Sequence, residues 1–279
     1  MKIIGEMLSY PFLVRALAGG ILISLCAALL GVSLVLKRYS MIGDGLSHVS
    51  FGALSVAVAM GWAPLAVSVP VVVLAAFFLL RITENGKIKS DAAIAMISAG
   101  SLAVGIVVTS LTTGMTTDVS SYMFGSILAM SPWDVRLSAA LSAVVLALFG
   151  FCYDRVFAVT FDESFARAAG VNVSAYNVII AVLTAITIVL GMQMMGAMMI
   201  SSLIIFPALT SMQVFKSFRA VVWSSGIVAV LCFCMGMAAS YRFSTPAGAS
   251  VVLANLGAFA AYRAAWRAGV FLAGKKMRE

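Results

Sequence analysis

His48 is the only histidine in the chain, and it stands four residues after Asp44 in Gly43-Asp44-Gly45-Leu46-Ser47-His48-Val49-Ser50-Phe51-Gly52. On a helix, residues at i and i+4 share a face, so the carboxylate and the imidazole point the same way. Oxygen and imidazole nitrogen both bind Zn²⁺, and with further oxygen ligands they also suit Mn²⁺ or Fe²⁺. Two ligands are too few for a stable site. A twofold homodimer axis repeats the same face and supplies two Asp and two His, enough for an ion gate. In the other reading Asp44 caps the helix and His48 hydrogen-bonds within the protein; the pattern leaves both open.

The remaining chemistry-bearing types point away from catalysis. There is no H-E-x-x-H and no G-x-S-x-G pattern, so no enzyme is expected. Gly269 to Lys276 nearly spells a phosphate-binding loop, but Lys276 stands where Ser or Thr is required. Asn172-Val173-Ser174 matches a glycosylation sequon but falls on the expected cytoplasmic side. Asp91 precedes an apolar run, and its expected role is at a helix N-terminus. Cys26, Cys152, Cys232 and Cys234 lie in or beside apolar runs and read as small buried residues. The methionines of Gly191-Met192-Gln193-Met194-Met195-Gly196-Ala197-Met198-Met199 read as packing rather than as a copper site. Gly196, Ser201 and Ser202 suit a close contact between helices, and Pro207 is expected to kink that helix.

The elements that carry these residues are membrane helices. Hydrophobic residues make up 63% of the 279 and charged ones only 10%, against about 25% charged in soluble domains. Apolar runs over 13–36, 45–60, 63–80, 92–111, 137–152, 175–190, 194–214, 220–240 and 247–262 predict an all-α, polytopic transmembrane bundle of eight to nine spans in a single domain, 1–279. The count is eight if the glycine- and serine-rich second run is broken or only partly inserted. Residues 1–15 show no cleavage site, and no removable leader is expected.

Cations fall after alternate runs, which places 14 of the 18 Lys and Arg on the cytoplasmic side and leaves Lys2, Arg15, Arg136 and Arg242 outside. The N-terminus is therefore expected outside and the C-terminus inside. This asymmetry also accounts for the net charge of +8 without nucleic acid. Two connections are long. The external one, 112–136, carries Asp118, Tyr122, Phe124, Gly125 and Trp133 and suits a short helix at the bilayer surface. The internal one, 153–176, places Asp162 and Glu163 at the start and Gly170 at the end of a helix of about two turns. That helix is either a docking surface or a solvated connector.

Taken together, these segments resemble the permease family of bacterial ABC importers for zinc, manganese and iron. The resemblance rests on Gly43 to His48, on Phe161 to Gly170, on Met195-Gly196-Ala197 through Ser202 to Pro207-Ala208, and on Thr245-Pro246-Ala247-Gly248. It covers nearly the whole chain in order. It implies the type II importer permease fold of the vitamin B12 importer, in the bacterial plasma membrane, as a homodimer among membrane lipid. Two cytoplasmic ATPase subunits and an external metal-binding protein are the implied partners, with the metal ion as cargo and no stably bound cofactor. By the same resemblance Asp44 and His48 belong to the metal path, and Phe161, Asp162, Glu163, Phe165, Arg167 and Gly170 to the loop that couples to the ATPase. Gly196, Ser201, Ser202 and Pro207 fall on its small-residue helix. Many relatives have proline before the glycine that follows the histidine, where this chain has Phe51. Ser47 to Ala53 resembles members associated with zinc; manganese and iron stay open. The rival reading is a secondary transporter driven by an ion gradient, which needs carboxylates on several helices near the midplane.

Overall fold

The computed structural model describes residues 10–84, 89–113 and 132–276. Among the described residues there are eleven α-helices and no strand: α1 (Pro11–Leu36), α2 (Ile42–Ala59), α3 (Pro64–Glu84), α4 (Ser90–Thr113), α5 (Pro132–Phe151), α6 (Tyr153–Phe161), α7 (Glu163–Ala168), α8 (Val173–Met195), α9 (Ala197–Met212), α10 (Phe218–Phe243) and α11 (Ala247–Lys276).

α1 is the pillar of the bundle. It opens on Pro11 and packs against α5, α8, α9 and α10. It ends at Lys37 in a tight turn: Arg38 adopts φ 62°, its amide donates to Val35 O, and the Tyr39 amide donates to Leu34 O. This is a Schellman closure. It costs about 1 kcal/mol more in an arginine than in a glycine, and it delivers the chain directly into α2.

The helices repeat one packing scheme. α2 lies on α3 and α4 as α9 lies on α10 and α11, while α3 packs on α8 as α10 packs on α1. The Lys37 ammonium at the end of α1 meets Asn177 in the first turns of α8. The two halves are therefore antiparallel, an inverted arrangement familiar in transporters.

Among the described residues six helices are long and apolar enough to cross a membrane, or seven if α5 and α6, bent by 69°, form one span. This is fewer than the eight to nine expected. α9 has only 16 residues, about 24 Å of rise, and α11 is diluted by Asn255, glycine and Arg263. α9 packs on α1, α2, α8, α10 and α11 and so meets protein more than lipid. The second run is a continuous helix, not a broken one. Its glycines serve packing: a Cβ on Gly52 would sit 2.6 Å from the Ser101 carbonyl oxygen, so α2 and α4 touch backbone to backbone.

The break falls instead between α8 and α9. Gly196 ends one helix and starts the next with φ 86° and ψ 159°, a region essentially restricted to glycine. Pro207 lies inside α9 and is buried. Met192, Met194, Met195 and Met199 are buried in the core, as packing required. Cys26, Cys152 and Cys232 are buried too.

The long connections also differ from expectation. The internal one begins with a helix of its own, α6, whose Tyr153, Phe157 and Phe161 rings pack on Phe218. In the external one, Thr112 belongs to α4, and Trp133 and Arg136 to α5. Asp118, Tyr122, Phe124 and Gly125 lie outside the described residues.

Candidate metal path and coupling segment

Asp44 is the third residue of α2, whose N-cap is Met41, so its carboxylate sits in the first turn without capping the helix. The helix dipole favours a negative group there. His48 follows one turn later, with Nε2 3.7 Å from Asp44 Oδ2. That is too long for a hydrogen bond and close enough for both atoms to reach one ion. The His48 side chain is 15% exposed and that of Asp44 47%. Ser47 turns away and donates to the Asp44 carbonyl at 2.7 Å.

Small residues hold this turn in place. A Cβ on Gly43 would meet Ile204 Cδ1 at 3.0 Å and Ser201 Cα at 3.7 Å, so the start of α2 abuts α9. Ser201 and Ser202 return their hydroxyls to their own helix, at Ala197 O and Met199 O. They narrow the helix without offering a ligand. Among the described residues no group of three or more His, Cys, Asp or Glu side chains could hold a metal ion. One copy of the chain offers a pair of candidate ligands, Asp44 and His48.

The second region is α7. Asp162 is its N-cap, and Oδ1 accepts from the Ser164 and Phe165 amides at 2.9 and 3.0 Å. At the other end Gly170, φ 82°, closes the helix: its amide donates to Arg167 O and that of Val171 to Ala166 O. Ala166 is buried with Val159 and Val173, and Val171 packs on them. Gly170 ends the helix as expected, while Asp162, expected in the first turn, stands just before it as the N-cap.

Glu163 stays half-exposed while it reaches back to the end of α1. Its Oε1 lies 2.5 Å from Lys37 Nζ and accepts from Asn177 Nδ2 at 3.2 Å, while Lys37 also donates to Asn177 Oδ1 at 2.7 Å. Burial pushes the Glu163 carboxyl up, but the bond and charge of Lys37, with Asn177 and Arg167 adding, outweigh it. The group is held below the ordinary carboxylate value. Lys37 is only 9% exposed. The triad ties α7 to the end of α1, seven residues before Asp44. Nothing in the chain order signals this contact, since Lys37 and Glu163 are 126 positions apart. Phe161 and Phe165 are the large apolar side chains exposed on the segment, and Arg167 is its exposed cation.

The ABC 3 transport family matches residues 9–264. A probable iron transport system membrane protein of Haemophilus influenzae is 30% identical over 258 residues, covering 89% of this chain and 91% of that protein. The high-affinity zinc uptake system membrane protein ZnuB of the same organism is 28% identical over 246 residues, covering 88% and 94%. Among solved structures, PsaBC from Streptococcus pneumoniae in complex with Fab superposes with a TM-score of 0.83 at 28% identity, over 94% of each chain.

Proposed function

Because the chain belongs to the ABC 3 transport family, we propose that it carries divalent transition-metal ions inward across the bacterial plasma membrane, with zinc as the first candidate. The chain is the membrane permease subunit of an ABC transporter. It is not itself an enzyme, and ATP is hydrolysed on a separate subunit. The observation that carries the metal reading is the Asp44 and His48 pair, on one face of the first turns of a mostly buried helix. Ionisable residues are rare in membrane-spanning helices, and by default such a pair marks an ion path.

A twofold homodimer completes the site. α4 supports it: Ala95, Ala99 and Ala103 recur every fourth residue on a face exposed in the single chain, the spacing by which membrane helices approach closely. Two Asp44 and two His48 then offer brief coordination to a dehydrating ion, strong enough to admit it and weak enough to release it. Relatives named for iron and for zinc stand at similar identity. The zinc assignment therefore rests on Ser47 to Ala53.

α7 is the contact for the ATPase, on the cytoplasmic side, with the N-terminus of α1 outside. Phe161, Phe165 and Arg167 face the partner, and Asp162, Glu163 and Gly170 hold the helix that presents them. An external metal-binding protein delivers the ion. Among the described residues the carboxylates give the rival ion-gradient mechanism no support: Asp44, Asp91, Asp134 and Asp154 lie in first turns, Glu84 ends α3, and Asp162 and Glu163 lie in a connection. The test is metal uptake into proteoliposomes holding the permease with its ATPase. Uptake should require ATP; uptake by the permease alone would refute the mechanism.

A further inference from the structure

α5 and α10 both pack on α1 yet scarcely touch one another. Between them lies an open groove of about 1110 Å³. Leu25 and Leu29 of α1 form its floor, Leu146 and Gly150 of α5 one wall, and Gly226 and Leu231 of α10 the other. The groove is apolar along its length and polar only at one end. There Asp154, in the first turn of α6, and Arg219, at the start of α10, flank the mouth. Both are exposed, and neither has an ion-pair partner within 4.0 Å among the described residues.

The dimensions match one lipid leaflet. From Arg219 to Leu231 is twelve residues of helix, about 18 Å, against about 15 Å for half the hydrocarbon thickness. The charged mouth coincides with the polar end of the α10 span, and Tyr153, Phe157 and Phe218 cluster beside it, as aromatic rings do at headgroup level. The outer stripe of α10 continues the wall with Trp223, Ile227, Leu231 and Met235, all large, apolar and exposed. Large apolar side chains of this kind suit acyl chains, whereas the alanines of the α4 stripe suit a close helix contact.

We propose that this groove binds one diacyl phosphatidylethanolamine. An acyl chain lies along the floor, the phosphate rests on Arg219, and the ammonium rests on Asp154. A cation and an anion that flank the mouth without neutralising each other complement a zwitterionic headgroup. A purely anionic lipid would bring its charge to Asp154 without a counter-charge.

Gly150 supplies the test, because a Cβ built there meets nothing within 4 Å and a larger side chain would grow into the groove. The complex with its ATPase, stripped of lipid in detergent, is titrated with an equimolar mixture of palmitoyl-oleoyl phosphatidylethanolamine and phosphatidylglycerol and observed by native mass spectrometry. The wild type should retain one phosphatidylethanolamine per permease, with about tenfold preference, the factor of a single charge-assisted bond. Gly150→Leu should weaken retention about tenfold, and Asp154→Asn should abolish the preference while keeping lipid in the groove. Ile227→Trp, which narrows the groove from α10, replaces Gly150→Leu if that variant melts early. Wild-type retention of neither lipid, equal retention of the two, or full retention by both groove-filling variants would overturn the proposal.

Discussion

Glu163→Ala isolates the link between α7 and α1. The substitution leaves Asp162 capping the helix and Gly170 closing it, so α7 itself survives. What is lost is the carboxylate that faces Lys37 and Asn177. A hydrogen bond to a charged group contributes about 1.5–3 kcal/mol, and the 46% exposure of Glu163 moves its share toward about 1–2 kcal/mol through solvent screening. The Lys37 ammonium, nearly buried, is left with Asn177 Oδ1 alone, which adds to the cost. We expect about 2 kcal/mol, or about 30-fold in the local opening equilibrium of α7. Amide exchange measured on the complex in detergent should then speed up about 30-fold across residues 163–171 and stay unchanged in α8 beyond its first turns. Lys37→Met should give a similar pattern, and the double variant should cost less than the sum. Unchanged protection of 163–171 in Glu163→Ala, or strict additivity, would refute the argument that this triad seats the coupling segment.

Acid should loosen the same contact. The folded pKa of Glu163 lies below its ordinary carboxylate value, so the pair's stabilisation is complete above that ordinary value and is lost as pH falls through the lowered one. Exchange in 163–171, corrected for its intrinsic pH dependence, should rise there in the wild type and not in Glu163→Ala. Gly52→Val should separate α2 from α4, because its side chain would enter the Ser101 backbone; a loss of about 1–3 kcal/mol is expected, read as a lower melting temperature in detergent. Gly196→Ala should cost about 1–3 kcal/mol by the same measurement, since its φ of 86° and ψ of 159° are strained for any side chain.

Local signals in the sequence proved readable. Asp162, Glu163 and Gly170 carry local signals, so both ends of α7 could be placed to within about a residue from residue type alone. The pairing of Asp44 with His48 followed from helical spacing. Signals that depend on distant partners did not show. Glu163 read as part of the coupling loop, and nothing near it in the chain points to Lys37 or Asn177. The glycines and serines of α2 read as weakness until Ser101 and Ile204 were seen to fill the space they leave. α6 hid in a presumed loop because its apolar residues answer to Phe218, more than fifty positions on.

The central claim is that His48, with Asp44, forms the metal path of an ATP-driven permease. It is tested most directly by radioactive zinc uptake into proteoliposomes containing the permease with its ATPase and fed by the external binding protein, comparing wild type with His48→Ala. The account predicts ATP-dependent uptake in the wild type and its loss in His48→Ala, with assembly of the complex and basal ATP hydrolysis retained. Uptake at the wild-type rate in His48→Ala would contradict it.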